Sequence, residues 1–573
     1  MAETRKSRDL GVALGLAVFA LALILRIVGL GWGLKTPERM QSLHPDEAVV
    51  YAYSQAIQPA QLQFDPGFYN YGTLYLTVIR ITSDVVASYT GAPDPKNETS
   101  VWDFVSRVHF AGRCISALAG AGTVLAVFLM TRRHFGDFGA VAASILLAVS
   151  PGHVVHSRFQ TVDILATFFL TVSAAFALRL IPSLEKEDEH AAPKDLLKWA
   201  ALAGVFAGLS AGTKYTGILA LFVLGVVLLL RRRECFGTLI GAAVGSALLV
   251  FVLSTPGILL HTSKFMEDFG YEMAHTSTGH GLVFIGTVNG FLYHLVVNLF
   301  IGIGPLPVLL GIAGLVYFSI KKEPWALALI AFFILTYVLI GRAEVKFLRY
   351  TFPLYPMLAI GFGAAMAECH RRQGYWAAGI VLGIVGLGGF PFGGITLSSL
   401  FSGWMTSTDP RDQAATYLKE VGAGKTVGLV SDPWYYTPPL YPLTGQARVI
   451  PGSTMIGIAS PTTRRNALAL ANNPQVIQSL PPGEDPFAWD VRLLDAKPDF
   501  IVYSAYESQD LDRIQNLTGL APDVQVQVDR YKAFVKRLDS EYKQDRIYGI
   551  EGSFMVHDLQ YIRPPVYIWR RKP

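Results

Sequence analysis

The chain carries two adjacent acids, Asp46 and Glu47, in His44-Pro45-Asp46-Glu47, a few residues beyond its first long apolar run. A carboxylate held at a membrane surface can take a proton from a hydroxyl nucleophile or help bind a divalent metal. The same tetrapeptide is also ordinary helix-start chemistry, with Pro in the first turn and acids facing the positive end of the dipole. A third acid, Asp163, ends the segment Ser157-Arg158-Phe159-Gln160-Thr161-Val162-Asp163, where another apolar run opens. A helix-start charge is again the plain alternative. Two acids at one level are more informative than either alone. Brought together, they would repel and raise one pKa unless a cation or a metal stood between them.

Arg158, Lys214, Arg342, Lys346 and Arg349 each lie beside an apolar run. Singly, each can snorkel toward lipid phosphates. As a set they suit a large anion at the membrane surface. A polyprenyl phosphate fits, because its tail partitions into lipid while its phosphate needs neutralising as it departs. Between Gly257 and Gly281 come His261, Lys264, Glu267, Asp268, Glu272, His275 and His280. These histidines lack a metal-ligand spacing. The stretch Thr276-Ser277-Thr278-Gly279-His280-Gly281 reads either as a mobile lid or as a solvated loop.

The elements that must position these residues are membrane helices. Of 573 residues, 51% are hydrophobic and 16% charged, against about 25% charged in soluble domains. Apolar runs fall at 10–32, 108–131, 138–155, 164–181, 197–212, 215–230, 237–256, 301–320, 325–340, 351–366 and 376–390, which predicts about eleven spans. The first is too long for a signal-peptide core and lacks a small-residue cleavage site. Basic clusters follow a rhythm: Arg5, Lys6 and Arg8; Arg132 and Arg133; Lys194 and Lys198; Arg231 to Arg233; Lys321 and Lys322; Arg371 and Arg372. Eleven alternating spans put all of them on one side, which is the cytoplasmic side by the positive-inside rule. The net charge of +5 thus reports orientation, and nothing points to nucleic acid. A multi-pass protein of the plasma or inner membrane follows, with a cytoplasmic N-terminus. Residues 33–107, 257–300 and everything after about 407 then lie outside, together with the five cations named above.

The expected organisation is a helical membrane region, 1–407, and an extracytoplasmic soluble α/β domain, 408–573. In the latter the pattern predicts a helix at 411–420, a strand at 426–430 and an aromatic turn at Asp432-Pro433-Trp434-Tyr435-Tyr436. A helix near 486–496 and strands at 500–503 and 566–570 complete it. The three cysteines, Cys114, Cys235 and Cys369, all precede it and form no C-x-x-C pair, so neither a disulfide framework nor a thiolate zinc site is expected there. Asn97-Glu98-Thr99 and Asn516-Leu517-Thr518 match the glycosylation pattern, which is short enough to arise by chance. No Gly-rich nucleotide loop is evident.

As an ordered set, four stretches resemble the GT-C superfamily of membrane glycosyltransferases, in the branch of the protein O-mannosyltransferases and lipid A aminoarabinose transferases. They are Asp46-Glu47 with Asn70-Tyr71-Gly72-Thr73-Leu74-Tyr75, then His156 to Asp163, then Gly208 to Gly217 around Lys214, and Arg349 to Pro356. The resemblance runs from about residue 10 to 390 and does not reach the C-terminal region.

It implies an α-helical polytopic bundle that moves a sugar, with inversion, from a polyprenyl-phosphate donor to an acceptor hydroxyl. Asp46 would be the base, with Glu47 or Asp163 assisting. Asp46 and Asp163 are the candidate ligands if a divalent metal is used. Lys214, Arg158 and Arg349 would neutralise the departing phosphate, and His261, His275 and His280 would belong to the lid loop. The alternative is a polytopic transporter or lipid flippase, which more often carries charges or broken helices near the midplane. In a third reading the outer domain does the work and the acids are helix caps only.

Overall fold

Among the described residues, each of the eleven apolar runs falls largely on helix. The protein is described by a computed structural model over residues 2–35, 39, 42–181, 193–231, 235–387, 394–422, 425–431, 435–440, 454–457, 488–550 and 556–573. Among these residues, five helices are long and apolar enough to cross a membrane unaided. The pair Gly290–Gly302 and Pro305–Ile320, bent by 112°, makes a sixth. The helices Val162–Leu178, Tyr215–Leu230 and Tyr375–Leu387 are apolar but shorter. The expected eleven therefore include helices that rely on neighbours. Val162–Leu178, for instance, is buried along most of its length, where protein and not lipid can satisfy its ends.

One helix, Glu98–Val149, holds two of the expected runs. Its 52 residues would span about 78 Å at 1.5 Å per residue, more than twice a hydrocarbon core of about 30 Å. Gly136 breaks it with φ 69°, a left-handed conformation that a side chain would disfavour. The helices Pro193–Thr213 and Phe236–Ser254 meet through small residues. A Cβ on Gly204 would lie 2.1 Å from the Ala243 carbonyl oxygen, so the two backbones can touch only because both faces are small. After the eleventh run comes a helix the sequence reading did not anticipate, Gly394–Thr406. Its Ser402 hydroxyl accepts a hydrogen bond from Arg158 at 2.5 Å.

The connecting segments are more helical than their polarity suggested. Residues 33–107 include Pro45–Ser54 and Leu74–Thr90. The second of these buries Tyr75, Leu76 and Ile79 and exposes Ile81, Val85 and Tyr89, the two-faced pattern of a helix lying along a bundle. The expected lid at 276–281 is corrected in part. Thr276 to Thr278 end the helix Thr262–Thr278, and the turn comes at Gly279 with φ 99°.

From Asp409 the chain builds a five-stranded sheet on the loop end of the bundle. The strands are β1 (Thr426–Leu429), β2 (Thr454–Gly457), β3 (Phe500–Ser504), β4 (Tyr542–Tyr548) and β5 (Val566–Arg571), in the order β2-β1-β3-β5-β4. β1 is parallel to β2 and β3, while β5 runs antiparallel to β3 and β4. The expected helix and three strands are present within a few residues. The helix near 486–496 is only Arg492–Asp495 among the described residues, and positions 432–434 of the aromatic turn lie outside them. Five further elements among the described residues were not anticipated: β2, β4, the helices Ala505–Ile514 and His557–Gln560, and the long helix Pro522–Glu541. The long helix buries Val524, Val528, Tyr531, Phe534 and Leu538, a readable helical spacing. β4 is a mostly polar edge strand, and such edges give little pattern to read.

Glu507 opens the helix Ala505–Ile514 in a capping box with Ser504 and accepts a hydrogen bond from Ser431. Burial pushes its carboxyl up to about 7, against the opposing pull of the Ser431 and Ser504 donors. An acid raised in this way binds more protons folded than unfolded between its ordinary 4.5 and about 7. Its stabilising effect is whole below that window and is lost as pH rises through it. The thermal midpoint should therefore fall across this range, by the equivalent of at most ~3 kcal/mol. Glu507→Gln should flatten the slope in a pH series of melting curves.

Candidate active site

His44 caps the helix Pro45–Ser54, its Nδ1 accepting from the Asp46 amide at 3.3 Å. The next two residues point in different directions. Glu47 turns inward and is fully buried. Arg113 donates to it from Nε at 2.7 Å and from Nη2 at 2.8 Å, and the Gln160 amide and Ser42 hydroxyl donate as well. Burial alone would raise this carboxyl; the charge and hydrogen bonds of Arg113 outweigh it and hold the group well below the usual range. Arg113 also donates to the carbonyls of Leu30 at 2.6 Å and Trp32 at 2.5 Å. One ion pair thus joins the end of the first helix, the first loop, the second span and the segment before Asp163.

Asp46 faces the other way, with 26% of its side chain exposed and Oδ2 3.8 Å from Arg349 Nη2. Arg349 belongs to a short turn, Leu348–Thr351. Its Nη1 is also 3.4 Å from Asp558 Oδ2, and its guanidinium lies over the Phe347 ring at 4.1 Å. Asp163 sits in the first turn of Val162–Leu178, 2.6 Å from Lys214 Nζ. Lys214 is available because the chain breaks from helix there, at φ −147° between Pro193–Thr213 and the turn Tyr215–Leu219. Its ammonium lies 4.8 Å from the centre of the Tyr350 ring.

Asp163, Lys214, Arg349 and Tyr350 line one cavity of about 260 Å³, with Tyr71 and Glu272 among its other polar lining residues. Apolar side chains line it as well, among them Ala166, Leu170, Leu339 and Ile340. Charged groups and hydrocarbon lining the same cavity suit an amphiphilic ligand.

Residues 103–258 match the family described as dolichyl-phosphate-mannose-protein mannosyltransferase. Protein O-mannosyl-transferase 1 of Danio rerio is 30% identical over 115 residues, which is 20% of this chain but only 15% of that relative's length. Among solved structures, ArnT from Cupriavidus metallidurans bound to undecaprenyl phosphate is 15% identical and superposes with a TM-score of 0.50, over 98% of this chain and 97% of that one. The archaeal oligosaccharyltransferase AglB from Archaeoglobus fulgidus, in complex with an inhibitory peptide and a dolichol-phosphate, gives 12% identity and a TM-score of 0.52, over 95% and 74%. The fold is that of the GT-C membrane glycosyltransferases. Asp163 and Lys214 fall within the family match, whereas Asp46 and Arg349 lie outside it.

Not every residue singled out from the sequence reaches the cavity. Arg158 is corrected: it is buried against the first helix and Gly394–Thr406, donating to the Leu25 carbonyl at 2.6 Å, to Ser402 and to Met405 Sδ at 3.2 Å. Lys346 is also buried elsewhere, 3.3 Å from Thr287, and Arg342 is exposed. His261 pairs with Asp65 at 3.0 Å. His275 and His280 hydrogen-bond to each other at 2.8 Å beside the helix whose Glu272, Met273 and Thr276 line the cavity. A metal on Asp46 and Asp163 fits poorly, since a cation already faces each of them. Among the described residues no group of three or more potential ligands gathers. Sequence reasoning missed Arg113 and Asp558. The first lies inside an apolar run, where a lone arginine signals a buried partner; the second has no local signal.

Arg113→Met should leave Glu47 buried without its counter-charge, at a cost of ~3–5 kcal/mol. The loss would appear as a large fall in the thermal midpoint of the detergent-solubilised protein. Pairing it with Glu47→Met should recover part of the loss.

Proposed function

We propose that this chain is an inverting glycosyltransferase that moves a sugar from a polyprenyl-phosphate donor to an acceptor hydroxyl. The observation that carries the reading is the cavity in which Asp163–Lys214 and Arg349 meet apolar side chains, with Asp46 on the far side of Arg349. In the proposed step the acceptor oxygen attacks the anomeric carbon from the face opposite the phosphate. The acceptor O–H bond breaks and its proton passes to Asp46, whose side chain is partly exposed. The new C–O bond forms as the bond from the anomeric carbon to the phosphate oxygen breaks, and its electron pair leaves with the polyprenyl phosphate. Lys214 and Arg349 neutralise the charge gathering there. Asp163 holds the Lys214 ammonium in place. Glu47, with its oxygens engaged by Arg113, Ser42 and the Gln160 amide, is read as a positioning residue and not as a base.

On this reading the site faces the extracytoplasmic side, as the basic clusters on the opposite connections support, and the region after about residue 407 lies on that side too. A transporter would need its charges near the bundle centre; here they gather where the long loops and the sheet pack.

The reading is tested with a purified wild-type chain and a panel of polyprenyl-phosphate sugars. Asp46→Asn should fold with an unchanged thermal midpoint and lose transfer by roughly 10²–10⁴-fold. Wild-type turnover in that variant would remove Asp46 as the base. Lys214→Ala should raise KM for the lipid-linked donor about tenfold or more while leaving acceptor KM nearly unchanged; equal losses on both would argue against contact with phosphate.

A further inference from the structure

The C-terminal sheet region carries one short element that reaches back to Arg349 at the cavity and to His44, beside Asp46. In the helix His557–Gln560, Asp558 is 1% exposed. It accepts from the Leu348 amide at 3.1 Å, the Arg349 amide at 3.3 Å and the Arg349 guanidinium at 3.4 Å. Three residues on, the Tyr561 ring stands edge-on to His44 at 4.9 Å, and His44 is the cap of the helix that presents Asp46. The segment is itself held from behind. Tyr506 donates to the His557 carbonyl at 2.5 Å and stacks on Tyr561 at 5.6 Å, while Arg411 donates to the Tyr561 carbonyl at 2.7 Å.

We propose that Asp558 is a positioning residue for donor binding: it fixes the backbone and guanidinium of Arg349 at the cavity rim, so that the sheet region completes the anionic-lipid site. The inference rests on the transferase reading above. Without Asp558, the Leu348 and Arg349 amides lose their acceptor, and Asp46, 3.8 Å away, is left as the carboxylate paired with the guanidinium. Arg349 would then be free to close on Asp46 and leave the cavity. Phosphate contact would weaken, and the acceptor side would be affected little.

The test measures binding of a short-chain polyprenyl monophosphate, with transfer kinetics and thermal midpoints, in the full chain. Asp558→Asn should weaken polyprenyl monophosphate binding and raise donor KM by about tenfold, with acceptor KM within about twofold of wild type. In an Arg349→Lys background the same change should add less than about twofold, since both act through one contact. Full additivity, or a parallel loss on donor and acceptor that tracks a lowered thermal midpoint, overturns the proposal. Should Asp558→Asn not fold, Asp558→Glu keeps the charge but moves the oxygens by one methylene. A raised donor KM at unchanged melting and acceptor KM supports the assignment, and a wild-type donor KM overturns it. Failure of the wild-type chain to bind any polyprenyl monophosphate would sink the transferase reading itself; binding that Asp558→Asn leaves intact would sink only the role of Asp558.

Discussion

Everything at the loop end of the bundle is registered to the buried pair between Glu47 and Arg113. A fully desolvated carboxylate and guanidinium are tolerable only when nearly every lone pair and N–H is engaged, and here they are: Leu30, Trp32, Ser42 and Gln160 take up what the two leave over. The cost of disengaging any one of them is high, so four separate stretches of chain share a single geometry. That geometry sets the direction of the helix Pro45–Ser54 and hence the direction of Asp46. Through the Gln160 amide it also sets where the chain turns before Asp163.

The cavity inherits this precision through charge. Asp163 lies at a helix start and Lys214 at a helix break. Their 2.6 Å contact leaves Lys214 held on one side and open to the cavity on the other. Arg349 lies between two acids, Asp46 and Asp558, so its position responds to both the first loop and the sheet region. A site assembled from opposed charges in this way can accept an anion without collapsing when it leaves, because every cation retains a carboxylate partner.

Much of this was legible from residue type and spacing, because membrane helices announce themselves by length and the charges that matter sit at their ends. Asp163, Lys214 and Arg349 stood out for that reason. Arg158 stood out equally and lies elsewhere, since it sits in the turn after the short helix Pro151–His156 and a linear text does not say which way a turn aims its side chain. Asp46 and Glu47 show the same limit in the smallest possible case: adjacent letters, one buried in an ion pair and one turned toward Arg349. Helical order inside polar loops was hidden because Thr262–Thr278 carries charges on much of its surface. Asp558 was illegible altogether. Its partner is 209 residues away, and only the fold of the sheet region brings them together.

The sheet region is attached by contacts that specify orientation. Arg513 donates to the carbonyls of Leu282, Val283 and Ile285, Arg39 pairs with Asp412, and Arg411 lies over the Trp32 ring. Guanidinium forks on fixed carbonyls are directional, whereas a purely apolar seam would let the two parts slide at little cost. Arg411 is fully buried and Arg513 partly exposed, and the more exposed contacts of such a set add little stability. Their value is in register: they hold His557–Gln560 where Asp558 can meet two backbone amides at once. A region joined for stability alone would not need that accuracy, and a region that helps shape a phosphate site would.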